Sequence, residues 1–169
     1  MFYPAIRHPR PLCFAALIFA SWGLAAGADD WPMWRYDAGR TAVAPIVLPD
    51  ELHLQWVRQL PPLKPAYQNP RLQFDAGYEP VVLGKTLFVG SSRNDRVTAL
   101  DTDTGAERWR FYADAPVRVA PVAWRDRVFF GSDDGHLYCV SADQGTLLWK
   151  FRAVPGERKL LGNGRLISV

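Results

Sequence analysis

The chain has 169 residues, of which 49% are hydrophobic and 13% aromatic, with 20 basic and 17 acidic side chains. Arg7 and Arg10 precede the first acidic residue, Asp29, and without them the excess of basic over acidic side chains falls from three to one. So small an excess excludes a polybasic nucleic-acid surface, and two cysteines, Cys13 and Cys139, exclude a disulfide-built scaffold.

Residues 1–28 read as a secretory signal peptide. Arg7 and Arg10 supply a positive n-region, Leu12 to Ala26 an apolar stretch, and Ala26-Gly27-Ala28 a small-residue cleavage site. The alternative is an uncleaved anchor, for which the apolar stretch is short. The mature chain is expected to be secreted or periplasmic, with no transmembrane span left after cleavage.

Residues 29–78 form an N-terminal segment that opens on Trp31-Pro32-Met33-Trp34-Arg35. His53-Leu54-Gln55-Trp56-Val57-Arg58 has the pattern of the last strand of a repeat. It is expected to be an orphan strand that completes a blade elsewhere in a ring. Pro61 to Phe74 is proline-rich, which bars it from a central strand. A long surface loop of this kind often carries binding. Trp31, Trp34, Arg35, Tyr67 and Arg71 are the candidate partner surface. The competing reading is a docking tail anchored by Trp31 and Trp34.

Residues 79–118 and 119–155 say nearly the same thing twice. Gly105 and Gly145, Trp109 and Trp149, and Phe111 and Phe151 are each 40 apart. Pro80 and Pro121, and Gly90 and Gly131, are 41 apart. A period near 40 built of short β-branched and aromatic runs indicates propeller blades. Four strands are expected in each: 79–83, 86–90, 96–101 and 107–112, then 119–124, 127–132, 136–140 and 146–153. Asp134-Gly135 is a hairpin turn signal, because glycine supplies positive φ. Residues 156–169 read either as the start of a further blade or as an interblade loop. Two blades and two partial ones do not close a ring, so the expectation is the N-terminal part of a longer propeller.

Ala99-Leu100-Asp101-Thr102-Asp103-Thr104-Gly105, followed by Trp109, resembles the A-x-D-x-x-T-G-x-x-x-W pattern of pyrroloquinoline-quinone-type (PQQ-like) repeats. The second copy keeps Gly145 and Trp149 and departs at Cys139, Ser141 and Gln144. The resemblance implies an all-β fold, a partial β-propeller of four-stranded antiparallel blades. Asp101 and Thr104 are expected to cap the tight turn before the last strand, with Gly105 and Gly145 at positive φ. Trp56, Trp109 and Trp149 are expected to dock on neighbouring blades as structural residues.

The dehydrogenases that share this repeat imply a cysteine pair, a calcium or lanthanide ion and an aspartate base. This chain has no adjacent cysteines, and no catalytic, cofactor-binding or metal residue is assigned. Asp101-x-Asp103-x-Gly105 is read as turn chemistry, since a calcium loop needs a distant bidentate Glu. His53 and His136 are read as strand histidines, and Cys139 as a buried apolar residue. The expected function is a non-enzymatic exported scaffold that binds a protein or small ligand through its loops. The alternative is the N-terminal part of a quinoprotein alcohol dehydrogenase, and PQQ and calcium enter only there.

Overall fold

A computed structural model describes residues 30–162 and 164–169. The signal-peptide reading of 1–28 lies outside the described residues. The first sheet contains β1 (Val81–Leu83), β2 (Thr86–Ser91), β3 (Arg96–Asp101) and β4 (Glu107–Tyr112). The second contains β5 (Val122–Trp124), β6 (Arg127–Gly131), β7 (His136–Ser141) and β8 (Leu147–Arg152). Both are antiparallel meanders in strand order. The fold is therefore all-β, two four-stranded blades of a partial propeller.

Sequence similarity becomes structural repetition down to the irregularities. Ala99 faces Trp109 across β3 and β4, and the register slips one residue later; Cys139 faces Trp149 across β7 and β8, with the same slip. An extra residue on the outer strand bends it and strengthens its twist. Alternation sets the core. Phe88, Val97, Val128 and Val140 are fully buried, with Val81 and Val117 beside them. Where the blades meet, the Phe111 ring from β4 lies 5.8 Å from Phe130 and 5.6 Å from Tyr138 of the second blade. Those two rings stack on each other at 5.2 Å.

The N-terminal tail stitches the inner strands. Trp31 and Val82 exchange both backbone hydrogen bonds, at 2.9 and 2.8 Å, and the Ala123 N–H donates to the Pro32 carbonyl at 2.7 Å. One short stretch thus touches both blades.

Residues 53–58 join no strand ladder among the described residues, so the reading of His53 as a strand histidine needs correction. No strand runs alongside them among the described residues; Trp56 and Arg58 hold the segment by side-chain contacts alone. His53 is consequently no strand histidine, its side chain being 84% exposed beside Glu51. At the other end, β9 (Lys159–Gly162) and β10 (Arg165–Ser168) pair only with each other. This hairpin rests on the second blade's β6–β7 turn, where the Ser168 N–H donates to the Asp133 carbonyl at 2.7 Å.

Candidate functional site

Antiparallel strands put the β3–β4 and β7–β8 turns at one end of the blades and the β2–β3 and β6–β7 turns at the other. The first end is built from the repeat motif. Asp101 Oδ1 accepts from the backbone of Asp103 and Thr104 and from the Thr104 hydroxyl, at 2.9 to 3.0 Å. Arg108 donates to Asp101 Oδ2 at 2.6 Å. The Arg108 bond, followed by those from Thr104, holds the Asp101 carboxyl well below the usual carboxylate range. Gly105 and Gly145 sit at φ +69° and +68°. A side chain there is strained by the backbone and blocked by a ring, because Trp56 covers Gly105 and Trp109 covers Gly145. Trp149 is not brought onto a turn; it is 40% exposed and packs on Phe129 at 5.9 Å.

The opposite end holds the polar chemistry. Arg118 comes from the connection between the blades and is only 8% exposed. Its Nε donates to Asp133 Oδ2 and its Nη1 to Asp75 Oδ2, each at 2.6 Å. Nη1 also reaches the Lys64 carbonyl at 2.9 Å. Burial alone would lower the Arg118 pKa; its bonds to Asp133 and Asp75 outweigh that and hold it above its ordinary value. Asp75 accepts in addition from the Ala66 N–H at 3.0 Å. The cluster clamps the proline-rich loop to the second blade.

Beside the clamp, a cleft of about 430 Å³ opens between the tail and the blades. Met33, Trp34, Phe74, Val119 and Val122 form its apolar walls, with Asp37, Arg40 and Glu79 around it. Arg40 and Arg35 lie over the Trp34 ring, 4.8 and 5.4 Å from its centroid. Hydrogen bonds from the Thr41 backbone and hydroxyl hold the Asp37 carboxyl below its usual range. Phe74 also lines a second cleft, of about 320 Å³, with Tyr67, Arg118 and Ile167.

Of the five candidate partner residues, Trp34 lines the first cleft and Arg35 lies over the Trp34 ring. Tyr67 joins through Phe74, 6.4 Å away edge-on. Trp31 is half-buried against Tyr36 at 5.5 Å, and acts as an anchor. Arg71 stands apart in the 3-10 turn Pro70–Leu72. Sequence reasoning missed Arg118. Its signal was a lone charge in Ala115-Pro116-Val117-Arg118-Val119-Ala120-Pro121, where a buried cation must find carboxylates.

Two further polar groups are structural. The Tyr138 hydroxyl donates to buried Asp134, which also accepts from the His136 N–H at 2.8 Å. Burial, then Asp134, pushes the Tyr138 pKa up. Cys139 is fully buried, and burial raises its thiol above the ordinary value. Among the described residues, no group of three or more His, Cys, Asp or Glu is placed to hold a metal ion. Nor is any helix there long and apolar enough to cross a membrane.

Comparison with known proteins places these observations. Residues 26–168 match the family of the outer membrane protein assembly factor BamB. The dehydrogenase subunit of the quinone alcohol dehydrogenase of Gluconobacter oxydans is 26% identical over 101 residues, covering 53% of this chain and 13% of that protein. The quinohemoprotein alcohol dehydrogenase of Comamonas testosteroni superposes with a TM-score of 0.59 at 21% identity, over 85% of this chain and 23% of that one. A europium-containing methanol dehydrogenase gives 0.50 at 18% identity, over 75% and 23%. This chain thus spans about an eighth of the curated relative and under a quarter of these structures. At such identities the structural likeness establishes the fold.

Proposed function

The chain belongs to the family of the outer membrane protein assembly factor BamB, and from that premise we propose that it is an exported, non-enzymatic propeller scaffold that docks a protein partner in the Trp34–Phe74 cleft. Residues 1–28 are its leader. The observation that carries the reading is an apolar cleft whose walls stay exposed, Trp34 at 42% and Phe74 at 57%, on a base fixed by the buried Arg118 clamp. Apolar walls ringed by charges of both signs suit an apolar side chain of a partner with polar groups around it.

The 26% identity to a quinone alcohol dehydrogenase favours a second reading, part of a quinoprotein. The buried clamp does not fit its cofactor. Pyrroloquinoline quinone carries three carboxylates and needs unspent cations, whereas Arg118 is already held between Asp75 and Asp133. The free cysteine among the described residues is the buried Cys139.

Two measurements separate the readings. A photoreactive residue at Phe74 in the exported chain is expected to crosslink one defined protein, and the Trp34→Ala variant to lose that product. Titration with the quinone and calcium, followed by absorbance, is expected to give no saturable complex. A stoichiometric quinone complex, or a crosslink pattern indifferent to Trp34, overturns the scaffold reading.

A further inference from the structure

The loop over residues 33–42 keeps side chains where the backbone favours glycine. Arg35, Tyr36, Arg40 and Ala42 lie at φ +58°, +78°, +56° and +56°, whereas Gly39, the loop's glycine, lies outside that region. Left-handed backbone is costly for a residue with a Cβ, and such strain persists where the surroundings over-determine it. Here Asp37 supplies the surroundings. Its Oδ1 accepts from the Thr41 N–H at 3.0 Å and its Oδ2 from the Thr41 hydroxyl at 2.8 Å. The Ala42 N–H then closes the loop on the Arg35 carbonyl at 3.0 Å.

The loop displays Trp34 with two guanidiniums over its ring, Arg40 at 4.8 Å and Arg35 at 5.4 Å. Elsewhere Arg108, Arg110, Arg118 and Arg152 each hold a carboxylate of this chain. Arg35 and Arg40 hold none among the described residues, and the ring is their partner. The acids that line the cleft are turned inward, Asp37 to Thr41 and Glu79 to the Ala120 N–H at 3.2 Å. Each guanidinium carries five N–H donors, so the rim offers more unspent donors than unspent acceptors.

We propose that the cleft takes an acidic peptide, an extended segment of the partner in which an apolar side chain is flanked by carboxylates. This rests on the scaffold reading and adds the partner's chemistry to it. The walls Met33, Val119 and Val122 suit an apolar side chain rather than a hydroxyl-covered sugar ring. The carboxylates take up Arg35 and Arg40, whose forked donors match them two at a time. That use accounts for arginines at two left-handed positions.

A random-peptide display library selected on the full chain tests this. The selected sequences are expected to carry Asp or Glu close to an apolar residue. The best of them, labelled with fluorescein, is expected to lose more than about tenfold in affinity for Trp34→Ala, as at a central aromatic anchor. A loss of about two- to fivefold is expected for each of Arg35→Gln and Arg40→Gln, as for partly exposed ion pairs. The same peptide with amides for its acids is expected to bind weakly and to be indifferent to both arginine variants. Arg40→Gly is expected to weaken binding while raising the denaturant midpoint, because it frees the left-handed position; a lowered midpoint would show that the arginine serves the fold instead. Pyrroloquinoline quinone, itself a tricarboxylate, is expected not to displace the peptide. Selection of apolar or basic peptides that still depend on Trp34 overturns the acidic assignment and leaves the scaffold reading standing. Displacement by the quinone, or no selected peptide that depends on Trp34, overturns both.

Discussion

Strands β4 and β8 have the same place in their blades, the same register and the same aromatic spacing, yet different surroundings. Trp109 on β4 is 9% exposed and Trp149 on β8 is 40% exposed. Phe111 is packed against two rings, while Phe151 is largely in water. The comparison separates what a blade does for itself from what its neighbour does for it. Hydrogen-bonded pairing forms within one blade, whereas the buried core is one cluster that runs through both. Burial of the outer aromatic stripe needs the next blade, as expected of stacked repeats.

The largest way to break the comparison is to delete the rings. Trp109→Ala is expected to destabilise the chain by about 3–5 kcal/mol, the usual cost of removing a large buried aromatic. Trp149→Ala is expected to cost less, about 1–2 kcal/mol, because the ring already keeps 40% of its surface in water. Equal shifts of the denaturant midpoint would show that β4 and β8 do not differ as described. Arg118 has no counterpart in the first blade, where the residue 41 positions earlier is Gly77. Arg118→Met leaves Asp75, itself 2% exposed, without its cation. A loss of about 3–5 kcal/mol is expected, as for a broken buried ion pair, and a midpoint unchanged by the substitution would remove the clamp.

A smaller difference lies in the β1–β2 and β5–β6 turns. Gly84 takes φ +56° in the first, and Arg125 takes +55° in the second. The left-handed region costs an ordinary residue about 1–2 kcal/mol, partly offset by the freedom glycine loses on folding. Arg125→Gly should therefore raise the midpoint, and Gly84→Ala should lower it, each by about 1 kcal/mol. The same sign for both would contradict the geometry.

The smallest expected effect is a pH dependence confined to one blade. Asp101 is held below the usual carboxylate range, chiefly by Arg108, so its contribution is present above the unfolded value of about 4 and is lost as pH falls towards the folded value. The second blade carries Ser141 at this position and has nothing to titrate there. Asp101→Ser should flatten the acid side of a midpoint-versus-pH curve. An unchanged acid side would show that the turn carboxylate is not linked to folding.

The blades were legible because their signal is local and repeated. Alternation and the Gly105/Gly145 spacing place β2–β4 and β6–β8 within a residue or two. The segment around Trp56 has the sequence of a last strand, but no strand lies alongside it among the described residues. The candidate site was legible in fragments. Trp34, Arg35 and Tyr67 stand out by type, but the cleft depends on Phe74 meeting Val119 and Val122 across 45 residues or more. Arg118, Asp75 and Asp133 are likewise brought together by blade packing, which composition does not encode.

The central claim is that each blade junction is a tryptophan seated on a glycine turn, filled at Trp56 and Trp109 and open at Trp149. Hydrogen exchange of the indole N–H groups, resolved by nitrogen-15 NMR at a concentration where the chain is monomeric, reads this directly. The Trp109 indole, bonded to the Ala142 carbonyl at 2.9 Å, is expected to exchange slowly, as is that of Trp56, bonded to Thr102 at 2.8 Å. The Trp149 indole is expected to exchange at nearly the rate of free tryptophan. Protection of Trp149 equal to that of Trp109, or rapid exchange at Trp109, would contradict the account.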